Sequence, residues 1–299
     1  MKMNDPQAIF EKRKRQVQKY VSRMPSLSTT VTKVTEICNS PSASPNDLNR
    51  VISLDPVLTG KVLKLINSAY YSLPNQVTSM TRAIIMLGLN TIKNLALSTA
   101  VLGSLSGKSS FQAFSGDQFW THSICVGVTA KALAGALRVP TMQREEYFVA
   151  GLLHDLGKIP LNDRYSEEYV QVREKAKEEG VPLLQVERAV LGIDHCDAGA
   201  VIGEKWQLSE AMCESLRHHH DPQGAQEANR KLVATVALAD TFTNVTASDS
   251  SDDAVVQDPR LTGPLERLGV EVQVLLDLRE TVAGEIEKAK LFLQVSQKG

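Results

Sequence analysis

Apolar residues along this chain recur three and four positions apart, the spacing that lines one face of an α-helix. In "DPVLTGKVLKLINSAYY" (55–71) the residues Val57, Leu58, Val62, Leu65, Ile66 and Ala69 follow that spacing. Strict alternation of apolar and polar residues, the signature of a half-buried strand, is nowhere sustained. Two helix starts are written alike. Ser44-Pro45 with Asp47 one turn on, and Asp55-Pro56, each offer a capping oxygen followed by a proline at the first helical position. "SMTRAIIMLGLNTIKNLALSTAVL" reads as two helices broken near Gly88. The pattern predicts an all-α fold.

Two stretches interrupt it. "GSLSGKSSFQAFSGD" (103–117) is rich in Gly and Ser, and divides the chain into an N-terminal helical lobe, residues 1–115, and a larger helical lobe, residues 116–299. "TASDSSDDAVVQDP" (246–259) is acidic and Ser-rich and reads as an exposed loop.

Composition narrows the function classes. The 299 residues are 42% hydrophobic and 22% charged, enough for one large domain or two smaller ones. A net charge of −1 creates no global field toward nucleic acid or anionic membrane. "LGLNTIKNLAL" imitates a helix-turn-helix, but no basic recognition face accompanies it, so no specific nucleic-acid partner is expected. The basic run "EKRKRQVQKY" (11–20) reads as a solvated helix face. No apolar run approaches a membrane span, and the opening "MKMNDPQAIF" has no signal-peptide core. Cys38, Cys125, Cys196 and Cys213 form no C-x-x-C pair, which fits free thiols in a reducing cytoplasm. Trp120 and Trp206 read as core residues.

The chemistry gathers in the second lobe. All six histidines fall between His122 and His220. "GLLHDLGK" (151–158) sets His154 and Asp155 inside an apolar run, where burying both without a partner is costly. Adjacent positions on a helix point about 100° apart, so this pair would grip an ion from two sides at a helix end. Ala150 and Gly151, one turn earlier, would leave room above the pair for an ion or a substrate, and Gly157 would end the helix in a left-handed turn with Lys158 at its mouth. His195 in "DHCDAGA", the run His218-His219-His220, of which one or two can face solvent, and Asp240 in "VALADTF" complete a set of nitrogen and oxygen donors suited to a divalent first-row metal. Cys196 reads as packing.

These residues resemble a known family. His122 in "FWTHS", the His-Asp of "LLHDLGK" and the distant Asp240 are similar to the ligand pattern of HD-domain metal-dependent phosphohydrolases. Leu54-Asp55-Pro56, Asn67-Ser68-Ala69-Tyr70-Tyr71 and Leu87-Gly88-Leu89 resemble the opening of HDOD domains, the HD-related output domains of bacterial signalling proteins. The likeness runs from about Met24 to about Pro222, with Asp240 beyond it. It implies an N-terminal helical bundle packed on an HD-like bundle. Many HDOD domains have lost the HD-type ligands, whereas this chain keeps them. His195, His219 and His220 further resemble the extra ligands of two-metal HD-GYP phosphodiesterases, although the GYP signature is absent. By that likeness His122, His154, Asp155 and Asp240 would hold one ion, and His195, His219 and His220 a second, with Asp155 bridging. Gln118 stands where some relatives carry an acid, so a third ion is not expected.

Two functions follow as expectations. One is a cytoplasmic bacterial signalling module that retains the metal site and works through signalling proteins or a nucleotide-type ligand. The other is an active phosphohydrolase in which Asp155 positions the ions and Lys158 contacts a phosphate oxygen. The donor set favours iron, manganese, nickel or cobalt over zinc or calcium.

Overall fold

The computed structural model describes residues 6–40, 42–105, 112–249 and 251–297. Among them every regular element is helical. The N-terminal half contains α1 (Pro6–Arg23), α2 (Thr29–Asn39), α3 (Pro45–Ile52), α4 (Pro56–Ile66), α5 (Met80–Leu87) and α6 (Leu89–Leu105). The middle contains α7 (Gly116–Ala136), α8 (Arg144–Leu153), α9 (Lys158–Arg164), α10 (Ser166–Glu179), α11 (Leu183–Leu191), α12 (His195–Lys205), α13 (Glu210–His218) and α14 (Glu227–Ser248). The chain closes with α15 (Asp252–Gln257), α16 (Pro259–Leu268), α17 (Gln273–Ala289) and α18 (Leu291–Gln297).

Local signals act as the sequence predicts. Ser44 and Asp47 form a reciprocal capping box at the start of α3, and the Asp55 side chain accepts the Leu58 amide at the start of α4. Gly88, at φ 82°, ends α5 and lets α6 leave at 118° to it. Trp120 and Trp206 are buried. Among the described residues, no single helix is long and apolar enough to cross a membrane.

Two readings change. The 246–259 stretch is not one loop: α14 continues to Ser248, and the Ser251 side chain caps the short helix α15. Hydroxyl caps, not loop composition, decide there. The basic face of α1 is only partly solvated. Arg13 stacks on the Tyr165 ring at 4.5 Å, Tyr165 donates to Gln16 Oε1 at 2.9 Å, and Tyr20 donates to Asp163 at 2.5 Å. Long side chains here lay their stems on neighbouring helices. Of the Gly/Ser-rich stretch, residues 106–111 lie outside the described residues, and Ser115 caps α7.

One hydrophobic core runs through both halves. The chain ends cross over. Helix α1 packs on α9 and α12, and α18 packs on α4 and α6. Helices α7, α8 and α14 pack together, with α13 against α8 and α14, and their shared centre is where the histidines converge.

Candidate metal centre

Two glycines bring the donors together by letting backbones touch. A Cβ on Gly151 of α8 would stand 2.8 Å from Gly127 Cα and 2.9 Å from the Val126 carbonyl oxygen, both on α7. Gly151 therefore serves the α7–α8 contact that sets His122 beside His154. It does not leave room for an ion, as the sequence had suggested; that space holds backbone. Gly157 is right-handed (φ −65°, ψ −17°) and not a left-handed cap. It must be glycine for another reason: a Cβ there would lie 1.8 Å from the His195 carbonyl oxygen. That approach places the start of α12 beside the turn that carries Asp155.

The resulting cluster centres on Asp155, which is 2% exposed. Its Oδ2 lies 3.3 Å from His154 Nε2 and 3.7 Å from His122 Nε2, and Asp240 Oδ1 closes that side at 3.1 Å from His122 and 3.6 Å from His154. Its Oδ1 faces the other side, 3.6 Å from His195 Nε2 and 3.7 Å from His219 Nε2. His220 Nε2 stands 3.0 Å from His195 Nε2. His218 stays outside, its ring against Gly224.

Hydrogen bonds behind the rings fix how they face. Nδ1 of His154 lies 2.7 Å from the Gly151 carbonyl, Nδ1 of His219 3.0 Å from the Ser215 carbonyl, and Nδ1 of His195 2.6 Å from Glu187 Oε2. Each acceptor can take the ring proton at Nδ1, which leaves each Nε2 directed at Asp155 and free to serve as a ligand once its own proton is displaced. Among the described residues, His154 Nε2 and Asp155 Oδ1 are buried without a hydrogen-bond partner. Orphaned buried donors and acceptors of this kind call for a partner. A cation at the centre supplies one, so the residues fit a divalent ion. His122, His154 and Asp240 form one group able to hold it, and His195, Cys196, His219 and His220 form another.

The electrostatics agree. Burial alone would neutralise His154, but the carboxylates of Asp155 and Asp240 outweigh it and raise its pKa to about 9. Burial would also protonate Asp155, yet His154 and Lys158 hold its carboxyl well below the usual range. Burial and the neighbouring His195 lower His220 to about 4. Burial likewise pushes His195 down, but Glu187 outweighs it and holds its pKa well above the usual range, whereas burial and His220 hold His219 well below it. Positive charge is thus wanted at the carboxylates, and a bound ion would displace those protons.

A small cavity of about 190 Å³ opens onto this centre, lined by His122, Asp155, Lys158, Gln118, Arg173 and Asn244 among others. The Lys158 ammonium donates to Asp155 Oδ2 as well as lining the cavity.

The family model for the HDOD domain matches residues 24–222. The chain belongs to the HDOD family. An uncharacterized protein of Treponema pallidum is 26% identical to this HDOD chain over 219 residues, 73% of the chain and 42% of the relative, so the match spans less than half of that protein. Three crystal structures share the fold. An HDOD domain protein of unknown function from Geobacter sulfurreducens superposes with a TM-score of 0.73 at 24% identity, over 94% of this chain and 98% of that one. A candidate phosphohydrolase from Shewanella amazonensis gives 0.73 at 22% identity, over 93% and 97%. A candidate signal transduction protein from Marinobacter aquaeolei gives 0.72 at 18% identity, over 99% and 67%.

The sequence left several residues of the HDOD centre unnamed. Glu187, fully buried on α11, accepts both the backbone amide of His195 at 3.0 Å and the Tyr169 hydroxyl at 2.6 Å while it holds the His195 ring. Asn244 donates to Asp240 Oδ1 at 2.8 Å, one turn along α14. That pair has the i, i+4 spacing of a shared helix face, and this is the signal that would have found it. Cys196, read as packing, has its Sγ 3.9 Å from His219 Nδ1 and adds a thiol to the donor set.

Proposed function

We propose that this chain is an HDOD signalling module whose helical core holds a divalent-metal centre at Asp155, with two ion positions that share that carboxylate. His122, His154 and Asp240 would serve one position, and His195, His219 and His220 the other. One observation carries the reading. His154, His195 and His219 each spend Nδ1 on an acceptor behind the ring and turn Nε2 toward Asp155, whose Oδ1 has no hydrogen-bond partner among the described residues. A merely structural histidine cluster has no reason to direct three Nε2 atoms at one carboxylate. The donors suit iron, manganese, nickel or cobalt. The working partners would be signalling proteins or a nucleotide-type ligand, in keeping with the Marinobacter neighbour.

A second reading is hydrolysis of a phosphoester at the same centre. The cavity over His122, Asp155 and Lys158, with Arg173 among its lining residues, favours it, as does the Shewanella neighbour. Bound metal would supply Lewis-acid charge beside a phosphoryl group. The chain's own contribution would be cationic: Lys158 and Arg173 attract and orient the phosphate, and Phe114 and Phe119 at the cavity wall limit water.

Metal analysis of the purified protein tests the first reading. Wild type should carry metal and Asp155→Ala little; equal content in the two would sink it. A panel of phosphomonoesters and cyclic dinucleotides then separates the readings. Turnover by wild type that is absent in Asp155→Ala selects the enzyme. A metal-loaded protein that turns over none of them selects the module.

A further inference from the structure

A second cavity, of about 520 Å³, lies away from the metal centre, where the N-terminal helices meet α7, α8 and α17. Its size is that of pockets that take small molecules. It shares α7 with the metal centre, but Lys131 in its wall is nine residues beyond His122, about 13 Å along a helix.

The wall is apolar where Met86, Leu87, Val128 and Leu278 line it, and it carries a few fixed polar groups. Two charge pairs there are internally closed. Glu145, 3% exposed, accepts from Lys131 at 2.6 Å and from the Tyr71 hydroxyl at 2.8 Å. Glu285 accepts from Lys288 at 2.6 Å. Two groups are not closed. The Tyr70 hydroxyl is buried and has no hydrogen-bond partner among the described residues, although Tyr70 lines the cavity and is only 7% exposed. Arg144, half-buried, gives Nε to the Val139 carbonyl at 2.7 Å, and its Nη1 lies beside Gly135, 3.3 Å from where a Cβ would stand. No carboxylate pairs with it among the described residues. A buried hydroxyl without a partner costs free energy unless something in the cavity meets it. An unpaired guanidinium beside an apolar wall favours a negative group.

We propose that this cavity binds a small amphipathic anion, an apolar body of aromatic size carrying one carboxylate-like head. The head pairs with Arg144, the body lies against Met86 and Leu278, and Tyr70 donates its hydroxyl proton to an acceptor on the ligand. Burial raises the Tyr70 pKa, with Glu145 and Glu285 adding to it, so the hydroxyl stays a donor. Met86 and Met142, both exposed at the cavity, suit a body of variable shape because methionine is unbranched and adaptable. The site is independent of the metal reading.

The test uses 2-naphthoate as the anion and 2-naphthalenemethanol as its neutral counterpart, titrated into the full chain labelled at methionine methyl groups. Naphthoate should move the Met86 and Met142 signals saturably, one molecule per chain, and leave those of the core residues Met24 and Met212 in place. Arg144→Gln should weaken naphthoate about tenfold and leave the alcohol unchanged. Tyr70→Phe should weaken naphthoate about threefold. Ala132→Trp, which fills the cavity, should abolish both. Asp155→Ala should change nothing here. Absence of saturable movement at Met86 and Met142, or naphthoate affinity indifferent to both Arg144→Gln and Ala132→Trp, would overturn the proposal.

Discussion

Gly157 and His195 touch through their backbones so closely that a methyl group on residue 157 would sit 1.8 Å from the His195 carbonyl oxygen. The contact joins the turn holding Asp155 to the helix holding His195. Gly157→Ala should therefore push α12 away. Overpacking of this kind costs about 1–3 kcal/mol, read as a lower denaturant midpoint. The variant should also lose metal at the His195, His219 and His220 position before the other. Full metal content at unchanged stability would show that α12 can shift freely.

Glu187 behaves as the carboxylate behind a ligand histidine. Glu187→Ala removes the acceptor that orients His195, and metal affinity should fall about 10–100-fold by competition with a chelator. Glu187→Gln, which keeps an oxygen acceptor, should restore part of it. Equal loss in both variants would point to charge, not orientation, as the role of Glu187.

The raised pKa of His154 gives a signed pH prediction. Asp155 and Asp240 face it with their carboxylates, His122 and His219 face it from α7 and the end of α13, and Lys158 stands on Asp155. Its pKa is above the unfolded value, so its contribution to stability is complete below about 6.5 and is lost as pH rises through about 9. A metal ion needs the neutral ring and displaces that proton. Loading should release protons, seen as a buffer-dependent heat in calorimetry, and affinity should rise with pH across the same window. Heats that do not depend on buffer would contradict the assignment.

Lys158 is a cation already seated on the shared carboxylate. Lys158→Ala should tighten metal binding severalfold because a competitor for Asp155 Oδ2 is gone. If the centre hydrolyses phosphoesters, the same variant should turn over more slowly. Weaker metal binding would mean that the ammonium holds the carboxylate in place.

Much of this was legible in the chain. The caps at Ser44 and Asp55 and the break at Gly88 rest on residue type and spacing, which a sequence displays. The grouping of His122, His154, His195, His219, His220 and Asp240 about Asp155 was implied by the resemblance of their motifs to HD-type ligand patterns. What a sequence hides is which backbones touch. Gly151 was read as space above the metal pair and Gly157 as a left-handed cap, and both instead serve contacts with α7 and α12, set by distant packing. Glu187 escaped notice because a lone acid eight residues before a histidine has no periodic relation to it. Cys196 was read as packing, whereas its Sγ meets His219 from the end of another helix.

The crossing of the chain ends bears on how the molecule comes apart. With α1 seated on α9 and α12, and α18 seated on α4 and α6, each half is clasped by a helix from the other. Neither half can melt while the other keeps its packing, so heat should produce a single cooperative transition in the calorimeter. A protease cut between α6 and α7 would leave two pieces still fastened to each other at both ends.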